Sequence, residues 1–332
     1  MILVTGGTGF IGAYLLRDLV QKNYKVAAIH RQHNFPSFID PSIIQKIEWL
    51  PGDVLDPIAL EAAMENADTV IHAAAKVSFH KKDHALMLKV NGEGTANVVN
   101  AAIEKGIRRF VHISSVAAIG RTTDGSAVNE QKKWEANKTS TTYAISKYLA
   151  EMEVWRGIGE GLNAVIVNPT TVLGYGDWNQ SSAGIFKSAW NEMPWYTTGI
   201  NGFVDVQDVA RATIQLMESD YSGERFIVNG DNLAFREIYN QIARGLGKRP
   251  PYRQAGKYMA ALAWRLAYLQ SLLTGKPPLL TRESAKVARS RTYFDNKKVL
   301  NALPGFAFTP LETTIKDACT QYLTKLQATN WQ

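Results

Sequence analysis

The chain has 332 residues, 45% of them hydrophobic and 20% charged, with a formal net charge of +7. This is the composition of an ordinary soluble globular protein, and no repeat or low-complexity segment is present. The length predicts one large domain with a smaller lobe. A single cysteine, Cys319, excludes an internal disulfide, and Met1 directly precedes the first predicted strand. We therefore expect a cytoplasmic protein without a leader.

The first 31 residues predict a β-α-β unit. Residues 2–4 form an apolar strand, residues 5–12 a glycine-rich turn and residues 26–29 a second strand, with a helical apolar repeat between the turn and the second strand. The turn carries glycines at 6, 9 and 12, which permit a tight turn and close approach of a pyrophosphate to the backbone. Free N–H groups at the helix N-terminus would receive that anion. The pattern predicts a dinucleotide site.

The residue after the second strand bears on which dinucleotide binds. Arg31 stands where an NAD-preferring site has an acidic residue, and no Asp or Glu occurs between Lys25 and Ile39. An arginine at this place can hold a 2′-phosphate. The sequence favours NADP(H), with NAD(H) as the alternative; Arg31 as a plain surface residue is the other interpretation.

Strands and helices then alternate along the chain. The predicted strands are 46–50, 69–72, 109–113 and 164–167, and the predicted helices are 57–66, 85–105 and 143–155. Such alternation predicts a doubly wound α/β fold with a parallel, Rossmann-type sheet. Ligands bind beyond the carboxyl ends of the strands in such sheets. Asp53, Ala73, Ala74, Ala75 and Ser115 fall there.

The pattern changes after residue 174. Residues 177–202 are rich in Trp, Asn, Ser and Gly and predict a substrate-binding loop. The remaining predicted elements are a helix at 204–217, a strand at 225–228, a helix at 235–246 and a mainly helical remainder. Five aromatic residues of the loop suit either an apolar substrate or the core of the lobe: Trp178, Phe186, Trp190, Trp195 and Tyr196.

These elements predict two domains. We assign the dinucleotide domain to 1–174, with a return segment at about 203–229. A smaller, mostly helical substrate lobe comprises 175–202 and 230–332.

The positive charge is concentrated in residues 249–298, which hold eleven basic and two acidic residues. Three interpretations stay open: a solvated face, a site for an anionic substrate, or weak peripheral contact with an acidic membrane. The apolar stretch 255–273 is too short and too interrupted for a good membrane span. Charge alone does not predict nucleic-acid binding.

Three residues in chain order predict carbonyl chemistry. Reduction of a carbonyl needs a proton donor, and a tyrosine hydroxyl with an ordinary pKa of about 10 needs help to act as one. Tyr143 and Lys147 lie one helical turn apart, so the lysine ammonium would lower the tyrosine pKa. Ser115 at a strand end would orient the carbonyl oxygen. The sequence therefore predicts oxidoreductase chemistry on a small carbonyl or alcohol substrate.

The chain resembles the extended short-chain dehydrogenase/reductases over essentially its full length. The matching motifs are TGGTGFIG (5–12), GDV (52–54), AAA (73–75), VNGEGT (90–95), ISSVAAIG (113–120), YAISK (143–147), NPTTVLG (168–174) and FVDVQDVA (203–210). The resemblance implies Ser115, Tyr143 and Lys147 as a catalytic triad, with Asn91 as a fourth member.

The resemblance also implies a cofactor site. Asp53 and Val54 would lie at the adenine, Lys147 at the nicotinamide ribose, and Pro169, Thr170, Thr171 and Val172 near the nicotinamide amide. The rest of the predicted cofactor set comprises Thr5, Gly6, Gly9, Phe10, Ile11, Gly12, Arg31, Ala73, Ala74 and Ala75.

Departures from the sub-family patterns reduce the number of candidate activities. Val116 and Ala117 replace the acidic pair of the 4,6-dehydratases, and Asn168 replaces the arginine of many sugar-nucleotide members. The NPTxVxG version is similar to dihydroflavonol 4-reductases, cinnamoyl-CoA reductases and 3β-hydroxysteroid dehydrogenases. A nucleotide-sugar 4-epimerase with tightly bound NAD remains an alternative. A second alternative is a non-catalytic NADP(H)-sensing protein.

Two further expectations concern metals and assembly. His80 and His84 are four residues apart but lack a third ligand, so we predict no metal site. The sequence leaves open whether the protein forms a homodimer.

Overall fold

The computed structural model describes residues 1–32, 34–78, 80–122, 125–135, 140–256 and 288–329. The strands are β1 (Ile2–Thr5), β2 (Val26–His30), β3 (Glu48–Pro51), β4 (Thr69–His72), β5 (Arg109–Ile113), β6 (Ala164–Pro169), β7 (Thr171–Leu173), β8 (Trp195–Tyr196), β9 (Ile200–Asp205), β10 (Glu224–Val228), β11 (Asp231–Ala234) and β12 (Arg253–Gln254). The helices are α1 (Phe10–Gln21), α2 (Pro41–Ile44), α3 (Pro57–Met64), α4 (His84–Leu88), α5 (Gly94–Glu104), α6 (Thr142–Gly159), α7 (Gly184–Trp190), α8 (Val206–Glu218), α9 (Phe235–Gly245), α10 (Lys297–Ala302) and α11 (Leu311–Thr329).

Seven parallel strands form the central sheet, in the order β10-β6-β5-β4-β1-β2-β3. The strand order reverses between β1 and β4, because the chain first builds outward through β2 and β3 and then returns to the other side of β1. A crevice forms at such a reversal, beyond the carboxyl ends of the strands. The predicted Rossmann-type fold is confirmed.

Alternate residues of the strands bury opposite faces of this sheet. Ile2 and Val4 pack in one cluster with α1 and α8, whereas Leu3 packs in the other with α3, α5 and α6. Both clusters are apolar, as expected when helices cover both faces of a parallel sheet. The sheet is therefore a rigid support whose carboxyl edge is left for the loops.

The C-terminal part adds strands to its helices. β11, β9 and β7 form a three-stranded sheet, and β12 pairs with β8. A separate apolar cluster joins α7, α9 and α11, with Phe186, Ile242 and Ile315 at its centre. Helices dominate the described part of this region, but the two small sheets were not expected from the sequence.

The central predicted strands and helices lie within a few residues of their observed bounds, but three predictions need correction. A π turn (Lys89–Glu93) interrupts the helix predicted at 85–105, and the predicted loop 177–202 contains α7, β8 and the start of β9. The third correction concerns the helix predicted from 204. The sequence predicts a helix from 204, but Val204 and Asp205 end β9 and the helix begins at Val206. The carboxylate of Asp205 accepts a hydrogen bond from the backbone N–H of Gln207 at 2.7 Å, which makes Asp205 the N-cap. The predicted helix 255–273 lies almost wholly outside the described residues.

Close packing of α6 against α5 depends on a glycine. A Cβ at Gly157 would lie 2.6 Å from the Val99 Cγ1 atom, whereas a Cβ at Gly159 would have no atom within 4 Å. Both glycines lie in the last turn of α6.

We predict that Gly157→Ala destabilises the fold by about 1–3 kcal/mol, because the added methyl overpacks the helix contact. Gly159→Ala is the matched control and leaves stability unchanged or raises it by up to about 1 kcal/mol, since alanine is the better helix former. Urea unfolding of both variants measures the difference. Equal stability of the two variants would contradict this account of the α5–α6 contact.

Candidate active site

The glycine-rich turn joins β1 to α1 and brings three backbone segments together. Gly6 has a φ of +72°, and a Cβ there would lie 2.5 Å from the backbone nitrogen of Ala74. A Cβ on Gly12 would collide with the carbonyl oxygen of Gly6. Only glycine fits either position, because a side chain would push the turn away from α1 and from the end of β4.

This turn leaves the first N–H groups of α1 available to a ligand. Gly9 caps the helix without a side-chain hydrogen bond, and the first turn contains no acidic residue. Unpaired N–H groups and the positive end of the helix dipole favour an anion. The predicted residues Thr5, Phe10 and Ile11 flank this cradle. The cradle thus fits a dinucleotide pyrophosphate.

The end of β4 forms the opposite wall of the crevice. The Thr5 hydroxyl is 2.7 Å from Nδ1 of His72, whose Nε2 is 2.9 Å from the Thr95 hydroxyl. The backbone N–H of Ala74 donates to the Thr5 hydroxyl at 3.3 Å. Ala73 and Ala74 are half-buried and Ala75 is exposed. The small side chains leave space beside the turn, as the sequence predicts for a cofactor wall.

Two charged residues lie at the ends of β2 and β3. The Arg31 side chain is 70% exposed, and its Nη1 is 4.0 Å from Oδ2 of Asp53. The Asp53 carboxylate also accepts a hydrogen bond from the backbone N–H of Leu55 at 2.9 Å. Val54 beside it is buried. Asp53 is therefore held by the backbone, whereas the exposed Arg31 side chain can reach an anion.

Ser115 and Tyr143 meet above the carboxyl end of β5. The Ser115 hydroxyl is close enough to the Tyr143 hydroxyl to lower its pKa, and both residues are half-buried. Ser115 also caps a short 3₁₀ turn, its hydroxyl accepting from the N–H of Ala117 at 3.2 Å. Tyr143 lies in the first turn of α6, which Thr141 caps. Two elements distant in the sequence thus place the two predicted hydroxyls together.

Lys147 lies one turn further along α6 and is 2% exposed. Its ammonium donates a hydrogen bond to the carbonyl oxygen of Ile113 at 3.0 Å. Burial lowers the pKa of Lys147 to about 8, and the charge of Glu151 opposes that fall. Lys147 therefore carries a positive charge at neutral pH but loses its proton at a lower pH than an ordinary lysine does.

The pKa of Tyr143 departs from the sequence prediction. We expected Lys147 to lower it, but burial raises it, and the hydrogen bond with Ser115 only partly offsets the rise. Desolvation disfavours the phenolate more than the hydroxyl partner stabilises it. Burial therefore favours the protonated form of Tyr143, the state from which it can donate a proton.

Asn91 lies in a π turn (Lys89–Glu93) between α4 and α5. Its amide donates to the Ser146 hydroxyl at 2.9 Å and to the Lys76 carbonyl at 3.0 Å, while its carbonyl accepts from the Lys76 N–H at 2.7 Å. Such turns occur often at functional sites. The predicted long helix 85–105 is thus interrupted where Asn91 ties α6 to the loop after β4.

The segment after β6 lines the remaining side. Pro169 ends β6, Thr170 and Val172 are buried, and the Thr171 hydroxyl accepts a hydrogen bond from Asn201 at 2.8 Å. All four predicted residues of this segment, Pro169 to Val172, lie at the carboxyl edge of the sheet. Their contact with the nicotinamide amide stays a prediction.

A buried polar network beneath the site was missed by the sequence analysis. The Glu151 carboxylate accepts hydrogen bonds from Ser114 at 2.6 Å, Asn168 at 2.8 Å and Arg225 at 3.0 Å. The one available signal was an acidic residue four positions after Lys147 on the same helix. Its partners come from β6, from β10 and from the residue that follows β5, and no local pattern predicts that they meet.

The aromatic residues of the predicted substrate loop divide into two groups. Phe186 is fully buried, and Trp178 and Trp190 pack in the same apolar cluster, which joins α7, α9 and α11. Trp195 and Tyr196 in β8 are half-buried, with Arg253 and Arg236 over their rings. At least three of the five thus serve the lobe core, which is the second of the two interpretations.

Other sequence features have structural roles or lie partly outside the described residues. His80 Nδ1 accepts a hydrogen bond from the Lys82 N–H, and His84 bonds to Thr142. The basic segment 249–298 is described only at 249–256 and 288–298. Within the described ranges, no helix has the length and hydropathy to cross a membrane.

Comparison with known proteins agrees with this geometry. Residues 2–229 match the model of the NAD dependent epimerase/dehydratase family. A protein of Synechocystis sp. that carries the name of a dihydroflavonol 4-reductase is 31% identical over 323 residues, spanning 95% of this chain and 92% of its own.

Two solved structures are similar over nearly the whole chain. The protein gox2253 is 30% identical with a TM-score of 0.81 over 98% of both chains. The UDP-glucose 4-epimerase of Thermus thermophilus in complex with NAD is 21% identical, with a TM-score of 0.75 over 97% of this chain and 98% of its own, a likeness of fold. The glycine cradle, the Ser115–Tyr143–Lys147 arrangement and these matches together show that the chain is an NAD(P)-dependent oxidoreductase of the epimerase/dehydratase family, within the extended short-chain dehydrogenases/reductases.

Proposed function

We propose that this enzyme reduces an aldehyde or ketone with NADPH, or catalyses the reverse oxidation. The observation that carries the proposal is that Ser115, after β5, and Tyr143, in the first turn of α6, lie together one helical turn from buried Lys147. The cofactor occupies the domain assigned to 1–174 and 203–229, and the substrate enters from the lobe. The resemblance to a protein named as a dihydroflavonol 4-reductase supports a reductase.

The proposed reaction divides its work among three side chains. A bound nicotinamide cofactor would supply the hydride that the carbonyl carbon accepts. Ser115 donates a hydrogen bond to the carbonyl oxygen and fixes its direction, and Tyr143 gives its hydroxyl proton to the oxygen as negative charge develops there. Lys147 stabilises the phenolate that remains, because its ammonium is held in a poorly solvated place. Asn91 holds α6 through its hydrogen bond to Ser146 and so keeps Tyr143 and Lys147 in position.

NADPH is the proposed donor because of the charges at the adenine end. Arg31 is exposed beside the end of β2, and the only acidic group paired with it among the described residues is Asp53, at 4.0 Å. Asp53 is already bonded to the Leu55 backbone. A guanidinium in this position suits a ribose 2′-phosphate better than two hydroxyls.

The 4-epimerase alternative makes a different demand on the cofactor. An epimerase takes a hydride and returns it to the same sugar, so its cofactor stays bound as NAD(+) through an acidic group after β2. Arg31 is the residue at that place. Purified protein carrying stoichiometric, tightly held NAD(+) would favour the epimerase.

We predict that Arg31→Ala weakens NADPH binding about tenfold and leaves NADH binding unchanged, because only NADPH carries the 2′-phosphate that a charge-assisted hydrogen bond would hold. Calorimetric titration with both cofactors measures this. Arg108→Ala is the matched control, since Arg108 is also exposed and paired with an aspartate, but lies at the opposite end of the sheet. Equal losses for both cofactors, or tighter NADH binding by the wild type, would refute the NADPH preference.

We predict that Tyr143→Phe lowers kcat by about 10²–10⁴-fold, the usual contribution of a general acid. The ring remains to fill its place, so the Kd for NADPH stays within about twofold. Turnover is followed by the absorbance of reduced nicotinamide on a panel of aldehydes and ketones, with and without anionic groups. Retained full turnover in Tyr143→Phe would remove this residue from the mechanism. Cofactor binding by the wild type without turnover of any member would favour the sensing protein.

A further inference from the structure

Glu151 is a buried carboxylate with a complete set of partners. Its side chain is 1% exposed, and one carboxylate oxygen accepts from the Ser114 hydroxyl and the Asn168 amide. The other oxygen accepts from Arg225 at 3.0 Å and from the Trp155 indole at 3.3 Å. A charged group this deep in a fold costs free energy unless such partners compensate it.

This carboxylate connects two parts of the proposed site. Along α6, Glu151 follows Lys147 by one turn, as Lys147 follows Tyr143, so the three side chains form one column on the helix. Across the sheet, Asn168 donates from its amide to both Glu151 and the carbonyl oxygen of Ser115, at 2.8 and 3.0 Å. Ser114 is the neighbour of Ser115.

The cation that pairs with Glu151 comes from the edge strand. Asn168 occupies the position where many sugar-nucleotide relatives have arginine, and Arg225 reaches Glu151 from β10, the next strand. The Arg225 guanidinium is also held by the backbone carbonyls of Glu130 and Lys132. A buried ion pair is poor evidence that the pair stabilises the fold. Because this pair lies beneath the proposed site, its location indicates a role in positioning the residues of that site.

We propose that Glu151 is a positioning residue of the proposed reductase site: its hydrogen bonds anchor the strand ends that carry Ser115, and its charge, one helical turn from Lys147, favours the ammonium form of that lysine. The role of Glu151 in catalysis rests on the proposed function. The charge effect itself belongs to the folded protein and can be measured without cofactor or substrate.

The other groups around Lys147 do not replace this charge. The rings of His72 on β4 and His112 on β5 stack on each other, and burial lowers the pKa of His72 to about 3 and that of His112 well below its ordinary value. Both are therefore neutral near pH 7. Tyr143 is protonated, and Arg225 is a further cation. Among the charged groups that face Lys147 in the described residues, Glu151 is the anion.

The direct test is a titration of Lys147 in the apo protein. Lysine labelled with ¹³C at Cε is observed by NMR, and the Lys147 signal is assigned by its loss in Lys147→Arg. We expect the wild-type signal to titrate near pH 8 and the Glu151→Gln signal about one unit lower, because the anion that favours the ammonium is gone. Glu153→Gln removes the same charge from a more exposed position on α6 and leaves the titration unchanged. An unchanged Lys147 titration in Glu151→Gln overturns the proposal.

Two variants complete the test. If Glu151→Gln does not fold, Glu151→Gln/Arg225→Gln also removes the guanidinium that would otherwise lack its carboxylate partner. Its Lys147 titration is compared with that of Arg225→Gln, and equal values overturn the proposal. Glu151→Asp keeps the charge but shortens the reach, so we expect the Lys147 titration to stay within about 0.3 unit while kcat falls at least about fivefold. Unchanged kcat in Glu151→Asp would refute the anchoring of Ser115.

Activity separates this inference from the proposed function. In a functional reductase, the alkaline limb of the kcat–pH profile moves to lower pH in Glu151→Gln by the same amount as the Lys147 titration. A wild type without turnover defeats the proposed function and leaves the apo titration intact. A normal wild type with an unmoved alkaline limb in Glu151→Gln defeats only the inference.

Discussion

The close approach of the Gly6 backbone to the end of β4 is the constraint on which the rest of the site depends. With a φ of +72° and the Ala74 nitrogen 2.5 Å from where a Cβ would stand, Gly6 closes the floor of the crevice at the strand reversal. The N-terminus of α1 then faces the same space as the carboxyl ends of β1 and β4. A larger residue would separate these segments and remove the anion site.

Burial determines the direction of the pKa shifts of Tyr143 and Lys147, the two residues proposed to handle the proton. In water, a lysine one turn from a tyrosine would simply help the tyrosine ionise. Here desolvation acts on both: it raises the pKa of Tyr143 and lowers that of Lys147 to about 8. In the proposed reaction, Tyr143 would therefore hold its proton until negative charge develops on the substrate oxygen, and Lys147 would then stabilise the phenolate. Glu151 opposes the fall in the Lys147 pKa, and Ser115 opposes the rise in the Tyr143 pKa.

Much of the fold could be predicted because its signals are local. The glycine spacing at 6, 9 and 12 and the apolar strands at 2–4, 69–72 and 109–113 each report on a short stretch, and the order of strands and helices then restricts the topology. Tyr143 and Lys147 could be paired from the sequence for the same reason, since residues four apart on a helix lie on one face.

The rest could not be predicted because it depends on contacts between distant segments. Asp205 as a strand end and N-cap, rather than a helical residue, is decided by the pairing of β9 with β7 and β11. The Glu151 network joins β5, β6, β10 and α6. Trp178 and Phe186 suit a substrate contact and a core position equally well until α9 and α11 are seen to pack on them. Even the sign of the Tyr143 pKa shift required knowledge of its burial.

The measurement that bears most directly on the account is the fate of the hydride in a single turnover. NADPH carrying deuterium at nicotinamide C4 is mixed with excess wild-type enzyme and a carbonyl substrate from the active panel, and the product is examined by mass spectrometry and NMR. We expect stoichiometric oxidised cofactor and deuterium on the carbinol carbon, with the rate of this transfer about 10²–10⁴-fold lower in Tyr143→Phe. Inverted nucleotide-sugar product without net cofactor oxidation, or label transfer unaffected by Tyr143→Phe, would contradict it.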